Sequence, residues 1–499
     1  MNEQIYKYKN LIKFKYTFIF LTGVLASLSL PPLSFFPIVF LISIPLFHLV
    51  NSKNLKDAFL IGFFLAFGWF LVSLYWISNA ILVGGEEFFW MIPFVFLGFP
   101  AFLSIFWGFA FFFTNFLGKS IVERLILFSI FLPFFEWLRG NFLTGFPWNM
   151  VGFSLSSPIE IAQSIALLGP YGQNVLTTLV LSIPIAIYYN KKIFTLFSLI
   201  SCGLVFLASF YTLKSNVVSF TDKNVKLVQP NFSHNEKWDK KKFFINQEKL
   251  LELSKNISRN DSLIIWPETA IVNFPENIKQ ELIYIKDTIL AEKSAFLVTG
   301  IPRKKVVNNK NYYYNSMIVL DQTGSIVGNY DKNKLVPFGE YNPFKKFLSS
   351  LKIIASDSEF SKGELINGKF FSFDDLNLYP MICYEAIFPF QIRNDKHYDL
   401  IINITNDRWF GKTFGPIQHF WLAKQRAIET GIPMVRVSNS GISSVIAPNG
   451  REIKSLNFNT SGFLELKIPK KFDDTLYLKF GEKIYYLIKL FLIILFLMI

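Results

Sequence analysis

Seven apolar runs crowd into the first 213 residues and constrain this chain more than any other feature of its sequence. They lie near residues 16–30, 34–50, 58–78, 90–114, 121–138, 164–189 and 193–213. A crossing needs about 20 mostly apolar residues, because a helix rises about 1.5 Å per residue through roughly 30 Å of hydrocarbon. Charge draws the same boundary: residues 1–213 hold 18 of the 86 charged side chains, and the remaining 286 residues hold 68. This excludes a disordered chain and a single soluble domain. The first run reads as a retained helix and not a cleaved signal, since six more follow it.

Placing the N-terminus in the cytoplasm puts Lys7, Lys9, Lys13, Lys15, Lys53, Lys56, Lys119, Arg124, Lys191 and Lys192 on the inner side. Only Arg139 then falls outside, where Glu86 and Glu87 also lie, so every connection obeys the positive-inside rule. The net charge of +14 therefore reads as an orientation signal and not as a nucleic-acid surface. Seven crossings carry the second half outside. A last stretch, Ile484 to Ile499, is expected to return as a short eighth helix, with Lys489 snorkelling to the interface. The connection Arg139 to Gly152, rich in glycine, proline and aromatic residues, suits a re-entrant or interfacial loop.

From Asn224 the pattern changes to short β-rich runs: Val225–Gln229, Leu263–Trp266, Ala295–Thr299, Ser316–Leu320, Ile326–Tyr330, Leu378–Ile382 and Leu400–Ile404. Asp321–Gly324 and Pro448–Gly450 read as hairpin turns. Helical spacing covers Asn246–Ser258, Asn277–Lys293 and Pro416–Thr430, the last followed by Gly431. The expected organisation is a membrane domain over 1–213, an α/β domain over 214–482 and a C-terminal transmembrane helix over 483–499.

Chemistry has few candidates. The two cysteines, Cys202 and Cys383, lie in different halves, so no disulfide framework is expected. The four histidines form no triad motif, and no Cys/His spacing fits zinc. Cys383 ends an apolar strand where a loop begins; a buried thiol is the commoner role for such a residue. Glu268 follows another strand in Trp266-Pro-Glu-Thr269, and Lys332 and Lys334 follow a third. A base, a cation and a thiol at three strand ends form a workable acyl-transfer site.

Taken together these segments resemble the nitrilase superfamily, whose Glu-Lys-Cys site follows this order. With the membrane half they resemble its membrane-bound family, the apolipoprotein N-acyltransferases. The resemblance covers nearly the whole chain and rests on Val228-Gln-Pro-Asn231 with Trp238, Trp266-Pro-Glu268-Thr, Leu335 through Tyr341, Cys383-Tyr-Glu385, Asn406-Asp-Arg-Trp409-Phe-Gly411, Gln418-His419 with Arg426, and Gly145-Phe-Pro-Trp148.

That resemblance implies an αββα sandwich on a helical bundle, with no metal or organic cofactor. It assigns catalysis to Glu268, Lys332 and Cys383, with Glu340, Tyr384 and Glu385 in support and Trp238, Trp148 and Trp409 near substrate. Lys334 stands where soluble nitrilases usually have histidine. The implied donor is a phospholipid, phosphatidylethanolamine by expectation, and the acceptor is the α-amino group of a diacylglyceryl-cysteine on an apolipoprotein. The implied setting is a monomer in a bacterial inner membrane, its catalytic domain periplasmic. Two other classes stay open: a membrane-tethered amidase using the same three residues, and a non-enzymatic lipid scaffold.

Overall fold

The computed structural model describes residues 2–255, 262–290, 295–343, 359–364, 370–389, 392 and 397–499. Contacts divide the chain into two compact units. One holds Met1–Ile81, Phe89–Ser215 and Lys479–Ile499, and the other holds Leu82–Phe88 and Asn216–Leu478.

In the first unit each apolar run becomes helix: Asn2–Ala26, a 3-10 segment Phe36–Ile42 leading into Ser43–Asn51, Leu55–Ser73, Phe99–Leu117, Ile121–Asn141, Ser164–Tyr188 and Lys192–Ser215, with Lys483–Leu497 at the end. Three helical stretches, Leu55–Ser73, Phe88–Leu117 and Lys192–Ser215, are long and apolar enough to cross a membrane. Small residues let neighbours meet backbone to backbone. A Cβ at Gly23 would lie 2.0 Å from the Leu65 carbonyl oxygen, and one at Gly68 would lie 2.1 Å from that of Phe20. After helix Ile121–Asn141 the chain folds back over the helix end. The Arg139 guanidinium donates to the carbonyls of Phe146 at 2.6 Å and Trp148 at 2.9 Å, while Glu136 accepts from the Val151 amide.

The second unit is a four-layer sandwich. One six-stranded sheet runs β12-β1-β2-β3-β4-β5 and the other β11-β10-β9-β8-β7-β6. The first comprises β1 (Phe220–Gln229), β2 (Ser262–Ile265), β3 (Phe296–Val307), β4 (Lys310–Leu320), β5 (Ile326–Asp331) and β12 (Gly462–Pro469). The second comprises β6 (Phe371–Phe373), β7 (Leu376–Ile382), β8 (Leu400–Thr405), β9 (Met434–Ser438), β10 (Ser443–Ile446) and β11 (Glu452–Leu456). Each sheet has a parallel centre, β1-β2-β3 in one and β7-β8-β9 in the other, with antiparallel strands on both flanks.

The layering follows from strand periodicity, because alternate side chains point to opposite faces. Leu263, Ile265, Val298, Val319, Leu378, Ile382, Ile402 and Val435 fill the space between the sheets. Their neighbours Ile264, Leu297 and Ile318 face helices Phe243–Ser254 and Lys279–Ile285 on one outer side. Met381, Ile401 and Met434 meet Phe420, Ala423 and Ala427 of helix Gly415–Thr430 on the other. The central strands, buried on both faces, are mostly apolar, as parallel sheets favour, with Lys226, Asn403 and Arg436 as buried polar exceptions.

The seven expected strands and both hairpin turns are present, several of the strands longer than expected. β6 and β9–β12 were not anticipated. The helix beginning near Asn246 ends at Ser254, and its expected end at Ser258 lies outside the described residues, as does Lys293. Helix Gly415–Thr430 has proline in its first turn and stops at Gly431, which is left-handed at φ 71°.

Candidate active site

Three strand ends carry the three candidate groups. Glu268 lies three residues beyond β2, Lys332 directly follows β5, and Cys383 directly follows β7 and opens a 3-10 turn, Cys383–Ile387. Lys332 is 1% exposed, Glu268 6% and Cys383 7%. The Lys332 ammonium lies 3.0 Å from Glu340 Oε1 and 3.4 Å from Glu268 Oε1. One amide bridges the two carboxylates: Asn315 Nδ2 donates at 2.8 Å to Glu268 and at 2.8 Å to Glu340. The second oxygen of Glu340 accepts from the Val336 amide at 2.8 Å, which pins the loop that carries it.

Burial alone would lower the Lys332 pKa, but the carboxylates of Glu340 and Glu268 outweigh it and hold the ammonium charged, above the ordinary lysine value. Burial, reinforced by the Glu268 charge, pushes the Cys383 thiol up to about 12, with Lys332 opposing. At rest the sulfur is therefore a thiol, and a base must take its proton during attack.

The turn at Cys383 is held by design of its neighbours. Its backbone is left-handed, φ 50°, which costs energy for a residue with a Cβ and persists only where surrounding contacts fix it. Glu385 supplies several of those contacts from full burial. Its Oε2 accepts from the Ile382 amide at 2.7 Å, and its Oε1 accepts from the Tyr330 hydroxyl at 2.6 Å and from the amides of Asn333 and Lys334 at 2.8 and 3.1 Å. One carboxylate thus ties the cysteine turn to the segment just after Lys332. Below the turn, His419 Nε2 meets the Cys383 carbonyl oxygen at 3.1 Å, and its Nδ1 meets Asp407 at 2.7 Å. Arg436 pairs with Asp407 at 2.9 Å. Burial raises the Asp407 carboxyl, but the Arg436 charge and the contacts from His419 and Thr405 overcome it and hold the group well below the usual carboxylate range.

Tyr384 is buried, edge-on to Phe388. Trp238 is 48% exposed at the end of helix His234–Trp238, and Trp409 is half-buried in the turn Asp407–Phe410. Trp148 belongs to the other unit, where it is 1% exposed and stacked on Phe146. Its surroundings there are packing contacts and not an open face. The Lys334 ammonium lies over the Phe388 ring at 4.9 Å. Among the described residues no group of three or more His, Cys, Asp or Glu is arranged to hold a metal ion.

Sequence reasoning missed Asn315, Arg436, Gly300 and Lys237. Asn315 had a signal: it shares strand parity with the inward Met317 and Val319, so a polar group there faces the core. Arg436 also interrupts an apolar strand, on the helix-facing side that it shares with Met434. Gly300 is required by contact, since a Cβ there would lie 2.3 Å from the Thr269 nitrogen and 2.7 Å from the Glu268 Cα. Gly300→Ala is expected to displace Glu268 by about an ångström and slow the first turnover about 100-fold. Single-turnover kinetics, on protein whose melting is within a few degrees of wild type, measure it.

Comparison with known proteins covers both halves. Residues 22–183 match the apolipoprotein N-acyltransferase N-terminal domain, and residues 224–472 match the carbon-nitrogen hydrolase family. The chain is similar to proteins named apolipoprotein N-acyltransferase from Rickettsia prowazekii (34% identity, 93% of this chain and 94% of that one) and Rickettsia bellii (36%, 93% and 93%). A protein of the same name from Brucella melitensis is 33% identical over 91% of this chain and 90% of its own. Among solved structures, an amidase from Nesterenkonia sp. is 16% identical, covering 55% of this chain and 99% of that one with a TM-score of 0.35.

Proposed function

The chain belongs to the apolipoprotein N-acyltransferase family, and from that membership we propose that it moves a fatty acyl chain from a phospholipid to the α-amino group of the N-terminal diacylglyceryl-cysteine of apolipoproteins. The observation that carries the reading is the buried cluster in which Lys332 and Asn315 hold Glu268 at the strand ends that also carry the buried Cys383.

In the first half-reaction Glu268 takes the Cys383 proton, and the sulfur attacks the ester carbonyl carbon. The Lys332 ammonium stabilises the oxyanion. Collapse breaks the carbon–oxygen ester bond, the proton on Glu268 passes to the departing lysophospholipid oxygen, and a thioester remains on Cys383. In the second half-reaction Glu268 takes a proton from the acceptor amine as nitrogen attacks the thioester carbonyl. The carbon–sulfur bond breaks, the sulfur recovers its proton from Glu268, and an amide is released. Glu340 holds Lys332 in place, and Glu385 and Tyr384 shape the cysteine turn.

The low exposure of all three groups supports transfer over hydrolysis, because a thioester survives only where water is kept out. Within this reading the apolar helices form a seven-span bundle with a returning C-terminal helix, and the catalytic domain is periplasmic in a bacterial inner membrane. The domains are then 1–213, 214–482 and 483–499. Phosphatidylethanolamine is the proposed donor, the protein acts as a monomer, and Trp238 and Trp409 contact lipid.

The test supplies purified protein with acyl-labelled phospholipid and a diacylated lipopeptide. The label is expected on the lipopeptide amine, with less than about one-tenth appearing as free fatty acid. Free fatty acid as the main product, unaffected by lipopeptide, would assign the site to hydrolysis and favour the amidase alternative.

A further inference from the structure

The mechanism leaves a buried cation beside the Glu268 turn unused. Lys237 lies on helix His234–Trp238, is 4% exposed, and has no ion-pair partner among the described residues. Its ammonium instead donates to the Glu268 carbonyl oxygen at 2.9 Å and to the Thr269 hydroxyl at 2.5 Å, 31 and 32 positions away in sequence. Those acceptors belong to the turn that presents the base. Thr269 is left-handed at φ 45°, and the close approach of Gly300 leaves the turn no slack on the other side. A desolvated ammonium is costly, so its placement against a catalytic turn calls for a compensating role.

We propose that Lys237 is the second cation of the site, a positioning residue that fixes the Glu268 turn and favours the ionised carboxylate that accepts the thiol proton. The proposal rests on the acyl-transfer reading and extends it. Two carboxylates, Glu268 and Glu340, otherwise face the single ammonium of Lys332. A charged Lys237 balances them. The same contact ties Glu268 to the neighbouring exposed Trp238, so the segment that offers an aromatic ring to lipid is also the segment that holds the base.

The groups that act on Lys237 are Glu268 and Cys383 from the strand ends. Across an apolar cleft lined by Phe232, Trp266 and Ile271 stands Glu281 of helix Lys279–Ile285. Glu236, on the lysine's own helix, is engaged by Ser233 and Lys242. Burial lowers the Lys237 ammonium to about 8 against the pull of Glu268 and Cys383. The charge is therefore present below that pH and lost above it, and acylation should weaken as pH rises through about 8. Cys383 ionisation would act in the opposite direction.

The experiment follows first-turnover lysophospholipid release from labelled phosphatidylethanolamine, between pH 6 and 10, in full-length protein. Wild type is expected to lose about tenfold in rate across an alkaline limb near pH 8. Lys237→Arg, charged throughout, should remove the limb and keep the rate within about threefold of the neutral wild-type value. Lys237→Met should be about tenfold slow below pH 8 and flat through it, with KM for phospholipid unchanged. A wild-type profile without an alkaline limb overturns the proposal whether or not either variant folds. So does a limb that persists in Lys237→Arg or Lys237→Met. If wild type releases no lysophospholipid at any pH, the acyl-transfer reading itself fails, which is a separate result.

Discussion

Cys383→Ser is expected to reduce acyl transfer by about four orders of magnitude or more while leaving the fold intact. Attack on an ester needs an ionised nucleophile, and an alcohol gives up its proton far less readily than a thiol, even one pushed up to about 12 by burial and Glu268. In the proposed mechanism the base is a carboxylate group, a weak one, so attack depends on the sulfur's polarisable lone pairs. Serine fits the same space, and the contacts that hold the left-handed turn, from Glu385 and His419, do not involve the sulfur. The melting temperature should therefore stay within a few degrees of wild type while product disappears. Retention of more than about one-hundredth of the activity would mean that the nucleophile is elsewhere.

Lys332→Met is expected to be nearly as damaging and, unlike the cysteine variant, to destabilise the protein. Loss of the ammonium removes the oxyanion's partner, about 10²- to 10³-fold in rate. It also leaves Glu268 and Glu340 sharing only the Asn315 amide. Breaking a buried ion pair from one side costs about 3–5 kcal/mol. The pH dependence distinguishes this cause from lost packing. In wild type the Lys332 pKa is raised in the folded protein, so its contribution to stability is fully present below the ordinary value of 10.5 and is lost only as pH rises through the folded one. In the variant the two buried carboxylates are left with no cation between them, and because acid relieves their mutual repulsion, stability should increase as pH falls from 7 towards 5. Thermal unfolding at several pH values reads this directly; a melting deficit independent of pH would point to packing alone.

Much of this arrangement is legible before any coordinates. Apolar runs named the helices, and strand ends at Glu268, Lys332 and Cys383 named the place where chemistry could gather, because the loops after strands are where a layered sheet exposes functional groups. What the sequence left hidden depends on contacts between distant segments. β6 and β9 to β12 are short or of mixed polarity, and their pairing is set by the neighbouring strands. Asn315 looks like any polar residue in a long strand until its parity places it between two carboxylates. Lys237 reads as a surface charge beside an aromatic residue, and only folding brings it against a turn 31 positions away. The resemblance to nitrilase-type enzymes pointed to the order of the candidate groups; the carboxylates beside Lys332 explain why its ammonium stays charged despite burial.

The most direct measurement concerns the covalent intermediate. Full-length protein is incubated with acyl-labelled phosphatidylethanolamine and no acceptor, then digested and sequenced by mass spectrometry. The account predicts one hydroxylamine-sensitive acyl group on the peptide carrying Cys383, in stoichiometry approaching one per chain, and its complete transfer to a diacylated lipopeptide added before quenching. An acyl group on any other residue, an equal adduct in Cys383→Ser, or an adduct on Cys383 that the lipopeptide cannot discharge would contradict it.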